Sequence, residues 1–170
     1  DELHAHCAHA DVVLPILHGP WGEGGPLQTM LETIGVRFLG SRANAAATAM
    51  DKIKTKIIAA RAGIQTPQWE ALDAGQTPTL EVPVVFKPND DGSSFGVEIH
   101  RRPTPPMEPC LCEQFIHGRE LTVAVLGGEP LPTIEIVPSE GFYDFAAKYD
   151  RSDTTDSGAP ARDPATADRL

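Results

Sequence analysis

Two lysines and two glutamates carry the chemistry that this sequence could perform. Lys87 closes the apolar run "PVVFKP" and opens onto "NDDGSSFG", while Lys52 lies well upstream in "MDKIKTK". A lysine on a helix surface is ordinarily a solvated charge, and Lys52 alone would be read that way. Lys87 differs, because an ammonium beside Val84, Val85 and Phe86 is costly to bury unpaired and needs an anion or a route to water. The loop beyond it has Gly92 and Gly96, which let the main chain approach a ligand closely, and Ser93 and Ser94, which add hydroxyl donors. Phosphate oxygens suit such a set. The same residues would also make an ordinary hairpin loop, and Asp90 and Asp91 oppose a simple phosphate cradle. No GKS or GKT follows, so the segment is not a Walker A loop. In "CEQFIHGRELTVAVL", Glu113 and Glu120 bracket a turn at His117 and Gly118. Such an edge can hold a nucleoside through main-chain groups and a carboxylate, or can be charged residues beside a turn.

The elements that must position these groups are legible in outline. "DVVLPIL" (11–17) is a near-continuous apolar run of the kind that forms a strand buried on both faces. It ends in the glycine-rich "HGPWGEGG". "PLQTMLETIG" then places Leu27, Met30, Leu31 and Ile34 on one helical face, with Pro26 suited to the first turn and Gly35 to the end. "VRFLG" reads as the next strand. The order is that of a βαβ unit, and ligands of open α/β sheets bind beyond the carboxyl ends of the strands, where His18 to Gly25 fall.

A domain boundary is expected near Ser41. Beyond it, "SRANAAATAM" and "DKIKTKIIAARAG" read as helices, with Asp51 placed to cap the second, Ile53 and Ile57 one turn apart, and Gly63 as the stop. "PVVFKP" and "VEIHR" should flank the opening loop as a hairpin. "CLCEQFI", "LTVAVL" and "PLPTIEIV" supply further strands, giving an antiparallel sheet. The prolines of "RRPTPPMEP" forbid a helix. Residues 139–160 mix Ser, Asp and Thr with Phe142, Tyr143, Phe145 and Tyr149, a composition suited to a lid that docks.

Composition bounds the partners. The 170 residues are enough to bury a real core, roughly 68–70% of the unfolded surface for a chain near this size. A net charge of −10, from 14 basic and 24 acidic residues, argues against a nucleic-acid or anionic-membrane surface. No apolar run approaches the roughly 18 residues of a membrane span. Three cysteines, with Cys110 and Cys112 two apart on one strand face, read as reduced thiols of a cytoplasmic protein.

The segments "LPILHGPWGEGGPLQTMLETIGVRFLG", "AMDKIKTKIIAARAGIQTP", "VVFKPNDDGSSFGVEI", "EQFIHGRELTVAVLGG" and "FYDFAAKY", in this order, closely resemble the D-alanine–D-alanine ligases, ATP-grasp enzymes of peptidoglycan synthesis. The resemblance covers nearly the whole chain. It implies an α/β (α+β) architecture: the end of an amino-terminal Rossmann-like βαβ domain (1–40), a central ATP-grasp subdomain (41–112) and the start of a carboxy-terminal one (113–170). Carried over residue by residue, it implies that Lys52 and Lys87 bind the α- and β-phosphates of ATP beneath the Ser93–Ser94 loop. Glu113, Gln114 and Ile116 would contact adenine, and Glu120 the ribose. Ser93 and Tyr149 would join the hydrogen-bonded set that ties the lid to the first D-alanine. Lys148 would meet the transferring phosphate and the second substrate's carboxylate, with His18 and Glu23 on the substrate side. The tyrosine of "AKY" favours dipeptide synthesis.

The implied reaction is phosphorylation of one D-alanine carboxylate by ATP, attack by the amine of the second, and loss of phosphate. Mg²⁺ is implied as well, with its ligands expected beyond Leu170, and the family is commonly a homodimer. "HAHCAHA" looks metal-like, but the family places an ordinary helix end or loop there. The resemblance also leads one to expect helices between Gly63 and Pro83 and between Arg101 and Cys110, and the sequence supplies neither. A chain that opens on "DELHAH" and stops at "DPATADRL" reads as the interior of a longer protein, inactive as a piece. Two other readings stay open: another ATP-grasp carboxylate–amine ligase, and a non-catalytic nucleotide-binding remnant.

Overall fold

The computed structural model describes Ala5, Cys7, residues 9–137 and the backbone strand 155–157. The chain divides into two units, Asp1–Phe115 and Ile116–Leu170.

In the first unit, helices α1 (Gly19–Glu23) and α2 (Pro26–Thr33) are followed by α3 (Ala43–Met50) and α4 (Lys52–Arg61). Pro20 and Pro26 fall in the first turns of α1 and α2, where a missing N–H costs nothing. Gly35 and Gly63 follow α2 and α4 with φ of +72° each, the left-handed conformation that ends a helix and that a glycine adopts without strain. Leu27 and Leu31 of α2 are buried with Cys7, and Val13, Ile34, Val36 and Phe38 pack against them. Met30, expected on that face, is exposed instead.

The expected strand 11–17 is not formed. A single parallel bridge joins Val13 to Phe38, and Val12, Leu14, Ile16 and Leu17 are exposed, Ile16 by 74%. Pro15 can donate no ladder bond, and among the described residues only Arg37 and Leu39 exchange main-chain bonds with Val13. The βαβ pattern is thus present in order, but among the described residues without a sheet around it. The segments on either side of Ser41 meet directly: the N–H of Ala43 donates to Glu32 Oε1 at 3.2 Å, and Gly25 lies so close to Ala43 and Ala47 that a side chain there would collide.

Four strands complete this unit: β1 (Trp69–Leu72), β2 (Val84–Lys87), β3 (Glu98–His100) and β4 (Cys110–Gln114). They form an antiparallel sheet in the order β1-β4-β2-β3. β2 and β3 are the expected hairpin around the opening loop. β1, in a region where the sequence pattern suggests nothing regular, covers the outer edge of β4 and pairs Trp69 with Glu113 and Leu72 with Cys110. Alternation then sorts the side chains. Leu72, Val84, Phe86, Cys110 and Cys112 share one face and form the core, with Leu80 against them. Val85, Lys87, Leu111 and Glu113 fall on the other. All three cysteines are free and buried. Burial, with the Glu70 charge added, pushes the Cys112 thiol up to about 12.

In the second unit, β5 (Glu120–Thr122), β8 (Ile134–Val137) and β9 (Thr155–Ser157) pair antiparallel in the order β5-β8-β9. β6 (Val125–Leu126) and β7 (Glu129–Pro130) form a separate hairpin, turned by Gly127 and Gly128 at φ of +62° and +89°. Two successive positive φ angles match the right-handed twist of a two-residue hairpin and explain the glycine pair. The expected lid lies outside the described residues, except for the backbone of β9. No helix of the described residues is long and apolar enough to cross a membrane.

Candidate functional site

Helix α4 begins with a conflict that its surroundings resolve. A lysine in the first turn opposes the helix dipole, which favours negative charge there. Yet Lys52 is the first residue of α4. Its Nζ donates to the carbonyls of Asp91 at 2.6 Å, Pro88 at 2.7 Å and Asn89 at 3.4 Å. Three N–H groups thus meet three main-chain oxygens of the segment following β2.

The main chain reinforces the clasp. Lys52 N–H donates to the Asn89 carbonyl, Ile53 N–H to Asn89 Oδ1, and Asn89 Nδ2 to Asp51 Oδ1. Asp51 caps the helix as expected, accepting the Lys54 N–H at 3.0 Å. That bond, together with the Lys54 ammonium, lowers the Asp51 carboxyl to about 2.

The loop continues through Ser93 and Ser94, both left-handed at φ of 55° and 59°, and Gly96 at 64°. Two serines in this conformation are uncommon and mark a backbone held by its surroundings. Gly96 must be glycine for a second reason, since a Cβ would sit 2.8 Å from Pro88 Cγ. Across from the loop, Glu23 Oε2 accepts the Gly19 N–H at 2.8 Å and lies 3.3 Å from where a Cβ on Gly92 would be. Gln28, buried, holds the α1–α2 turn by donating to the Gly22 carbonyl and accepting the Gly25 N–H. These parts enclose an open cavity of about 450 Å³, lined by Glu23, Gln28, Lys52, Asp91, Gly92 and Ser93 among others.

Lys87 does not line this cavity. The sheet register explains where it goes: Glu113 lies opposite Val85, and Lys87 is two residues further on the same face, the diagonal separation that a long side chain spans. Lys87 Nζ meets Glu113 Oε2 at 3.0 Å. The other carboxylate oxygen, Oε1, meets Lys56 Nζ at 3.1 Å. Lys56 is only 8% exposed and Glu113 only 6%. Helix α4 therefore turns Lys52 and Lys56, one turn apart, toward the end of β2 and leaves Ile57 and Ile58 exposed. Burial, and next the nearby Lys87 charge, lower the pKa of Lys52. The two lysines singled out in the sequence thus share one electrostatic neighbourhood while their nitrogens face different partners.

The remaining candidates are dispersed. His18 occupies the cap position of α1. Ser94 follows Ser93 in the loop, and Gln114, exposed at the end of β4, has its N–H on the Gln68 carbonyl. Ile116 and Glu120 belong to the second unit, Ile116 exposed and Glu120 opening β5. Lys148 and Tyr149 lie outside the described residues. Lys56, Asn89 and Gln28 were missed. The spacing of Lys52 and Lys56 in "MDKIKTK" was a signal for the first, while Asn89 and Gln28 looked like ordinary polar residues. Among the described residues, no group of three or more His, Cys, Asp or Glu is placed to hold a metal ion.

A model of the "D-ala D-ala ligase N-terminus" matches residues 1–41, and one of the "D-ala D-ala ligase C-terminus" matches residues 107–168. The chain is 42% identical over 164 residues to a D-alanine–D-alanine ligase of Citrifermentans bemidjiense, covering 87% of this chain and 52% of the relative. It is 44% identical over 155 residues to one of Desulforudis audaxviator, covering 78% and 50%. The chain spans about half the length of the curated relatives it matches. A crystal structure of the Bacillus anthracis D-alanine–D-alanine ligase complexed with ATP superposes with a TM-score of 0.74 at 29% identity, over 98% of this chain and 59% of that one. The fold is accordingly of the ATP-grasp type, mixed α and β. With models for both ends of the family matched in order and curated members aligned along most of its length, the chain belongs to the D-alanine–D-alanine ligase family.

Proposed function

We propose that the protein joins two D-alanines to D-alanyl-D-alanine at the expense of ATP, through an acyl phosphate, and that the first unit carries the phosphate end of the ATP site. The observation that carries this reading is the clasp of Lys52 on the residues after β2, beside Lys87. Two ammonium groups from distant segments are thereby gathered at the mouth of one glycine–serine loop. The names of the relatives and the ATP-bound neighbour support the reaction and the nucleotide.

In this reading Lys52 and Lys87 neutralise the α- and β-phosphates, and the N–H and hydroxyl groups of Ser93 and Ser94 hold the phosphate chain. Electrostatic stabilisation of this kind is commonly the largest part of phosphoryl-transfer catalysis. Glu113, Gln114 and Ile116 would take adenine and Glu120 the ribose. Glu23 and His18 would face the amino acid, and Lys148 and Tyr149 would close over it with Ser93. The domain division 1–40, 41–112 and 113–170 belongs to the same reading, as does a cytoplasmic setting, which the three free thiols favour. Among the described residues no group of three or more His, Cys, Asp or Glu is placed to hold Mg²⁺, and no step here passes through it.

The test is ATP-dependent phosphate release by the intact protein with D-alanine and with D-lactate as second substrate. Release with D-alanine, together with the dipeptide by mass spectrometry, is the expected result. Release with D-lactate and not with D-alanine would overturn dipeptide synthesis. ATP binding without release for either would assign a different carboxylate–amine ligase or a non-catalytic nucleotide-binding protein, and no ATP binding at all would overturn the site.

A further inference from the structure

Glu113 is a buried carboxylate with two ammonium partners, and they are not equivalent. Lys56 comes from the middle of α4, with its side chain 9% exposed, whereas Lys87 comes from the end of β2, with its side chain 29% exposed. Each holds a separate oxygen, so Lys87 can leave while the Lys56 contact remains. If Lys87 were the sole partner, drawing it toward an anion would strand a buried negative charge, which is strongly destabilising. With Lys56 in place the three charges sum to one surplus positive charge, and the surplus sits on the more exposed lysine. Lys52 lies near both Lys87 and Glu113, with Asp91 and Asp90 beside it, and is already saturated by carbonyls.

We infer that Lys56 is a positioning residue for nucleotide binding, serving as the permanent counter-charge of Glu113 so that Lys87 can swing from Glu113 to a phosphate. The inference rests on the ATP reading above and adds a residue to it. Lys56 touches no phosphate in this scheme; it acts only through Glu113 on the availability of Lys87.

The experiment is equilibrium binding of ATP and of adenosine to the intact protein, with wild type, Lys56→Met, Lys56→Arg, Glu113→Gln and the Lys56→Met/Glu113→Gln double variant. Lys56→Met should weaken ATP by about ten- to hundred-fold, because Glu113 then claims Lys87, and should weaken adenosine, which lacks phosphates, far less. Lys56→Arg should stay near wild type. In the Glu113→Gln background, where no carboxylate competes for Lys87, adding Lys56→Met should have no effect on ATP. Even if Lys56→Met alone fails to fold, that comparison can still overturn the inference. Equal losses for ATP and adenosine, no loss, or a Lys56→Met effect that persists in the Glu113→Gln background would overturn the inference while ATP binding by wild type upheld the site. A wild-type protein that binds neither ligand would remove both.

Discussion

The start of α4 and the end of β2 each present a lysine at the mouth of the same loop, and they hold it by opposite means. Lys52 is surrounded by neutral carbonyl oxygens, which satisfy its hydrogen bonds but leave its charge in place. Lys87 rests on a carboxylate that already has another ammonium. The first arrangement fixes a geometry: helix start, loop and Asn89 become one unit. The second fixes a charge balance, deep enough for removal of Glu113 to be felt by the whole fold.

If the β2 end is the charge-balanced side, Glu113→Ala should have the largest effect. It leaves Lys56 buried without a counter-charge, and a loss of about 3–5 kcal/mol in urea denaturation is expected. A loss within about 1 kcal/mol would show that water reaches the cluster and would erase the contrast. Next comes Asp51→Ala, which removes the cap of α4 and should cost about 1 kcal/mol. Because the Asp51 carboxyl is lowered in the fold, its contribution is complete above the ordinary value of 3.8 and fades as pH falls toward about 2. Melting curves across that interval should therefore converge for wild type and variant; parallel curves would place the acid sensitivity elsewhere.

Lys87→Met should cost about 0.5 kcal/mol, since Glu113 keeps Lys56. Should it match Glu113→Ala, the two lysines would be equivalent and Lys56 would hold no special place. The smallest change in global stability is expected for Lys52→Met, because relief of a half-buried ammonium offsets the loss of its bonds to three part-buried carbonyls. Its effect should be local: faster amide exchange and proteolysis in residues 88–96. Unchanged protection there would mean that Asn89 alone secures the loop.

Much of this was legible in the chain. The β2–β3 hairpin, the Asp51 cap, the glycine stops and the shared face of Cys110 and Cys112 follow from alternation and local backbone chemistry, which act over a few residues. The candidate site was drawn mainly from a family resemblance, with the loop and its two lysines supplying the physical content. The apolar runs show the limit. "DVVLPIL" and "PVVFKP" look alike, yet the second gains two neighbouring strands and is buried, while the first makes one bridge and stays exposed. Burial depends on what lies beside a strand, and a run of residues does not contain its neighbours.

By itself, then, the sequence determined which segments could bend, cap and alternate, and that a lysine at the end of β2 must find an anion or a route to water. Only the tertiary structure decided that the anion is Glu113, that Lys56 shares it, and that Lys52 binds carbonyls. Those pairings join residues far apart in the chain through sheet register and helix placement, and a shift of one residue in either would turn the charges to other faces.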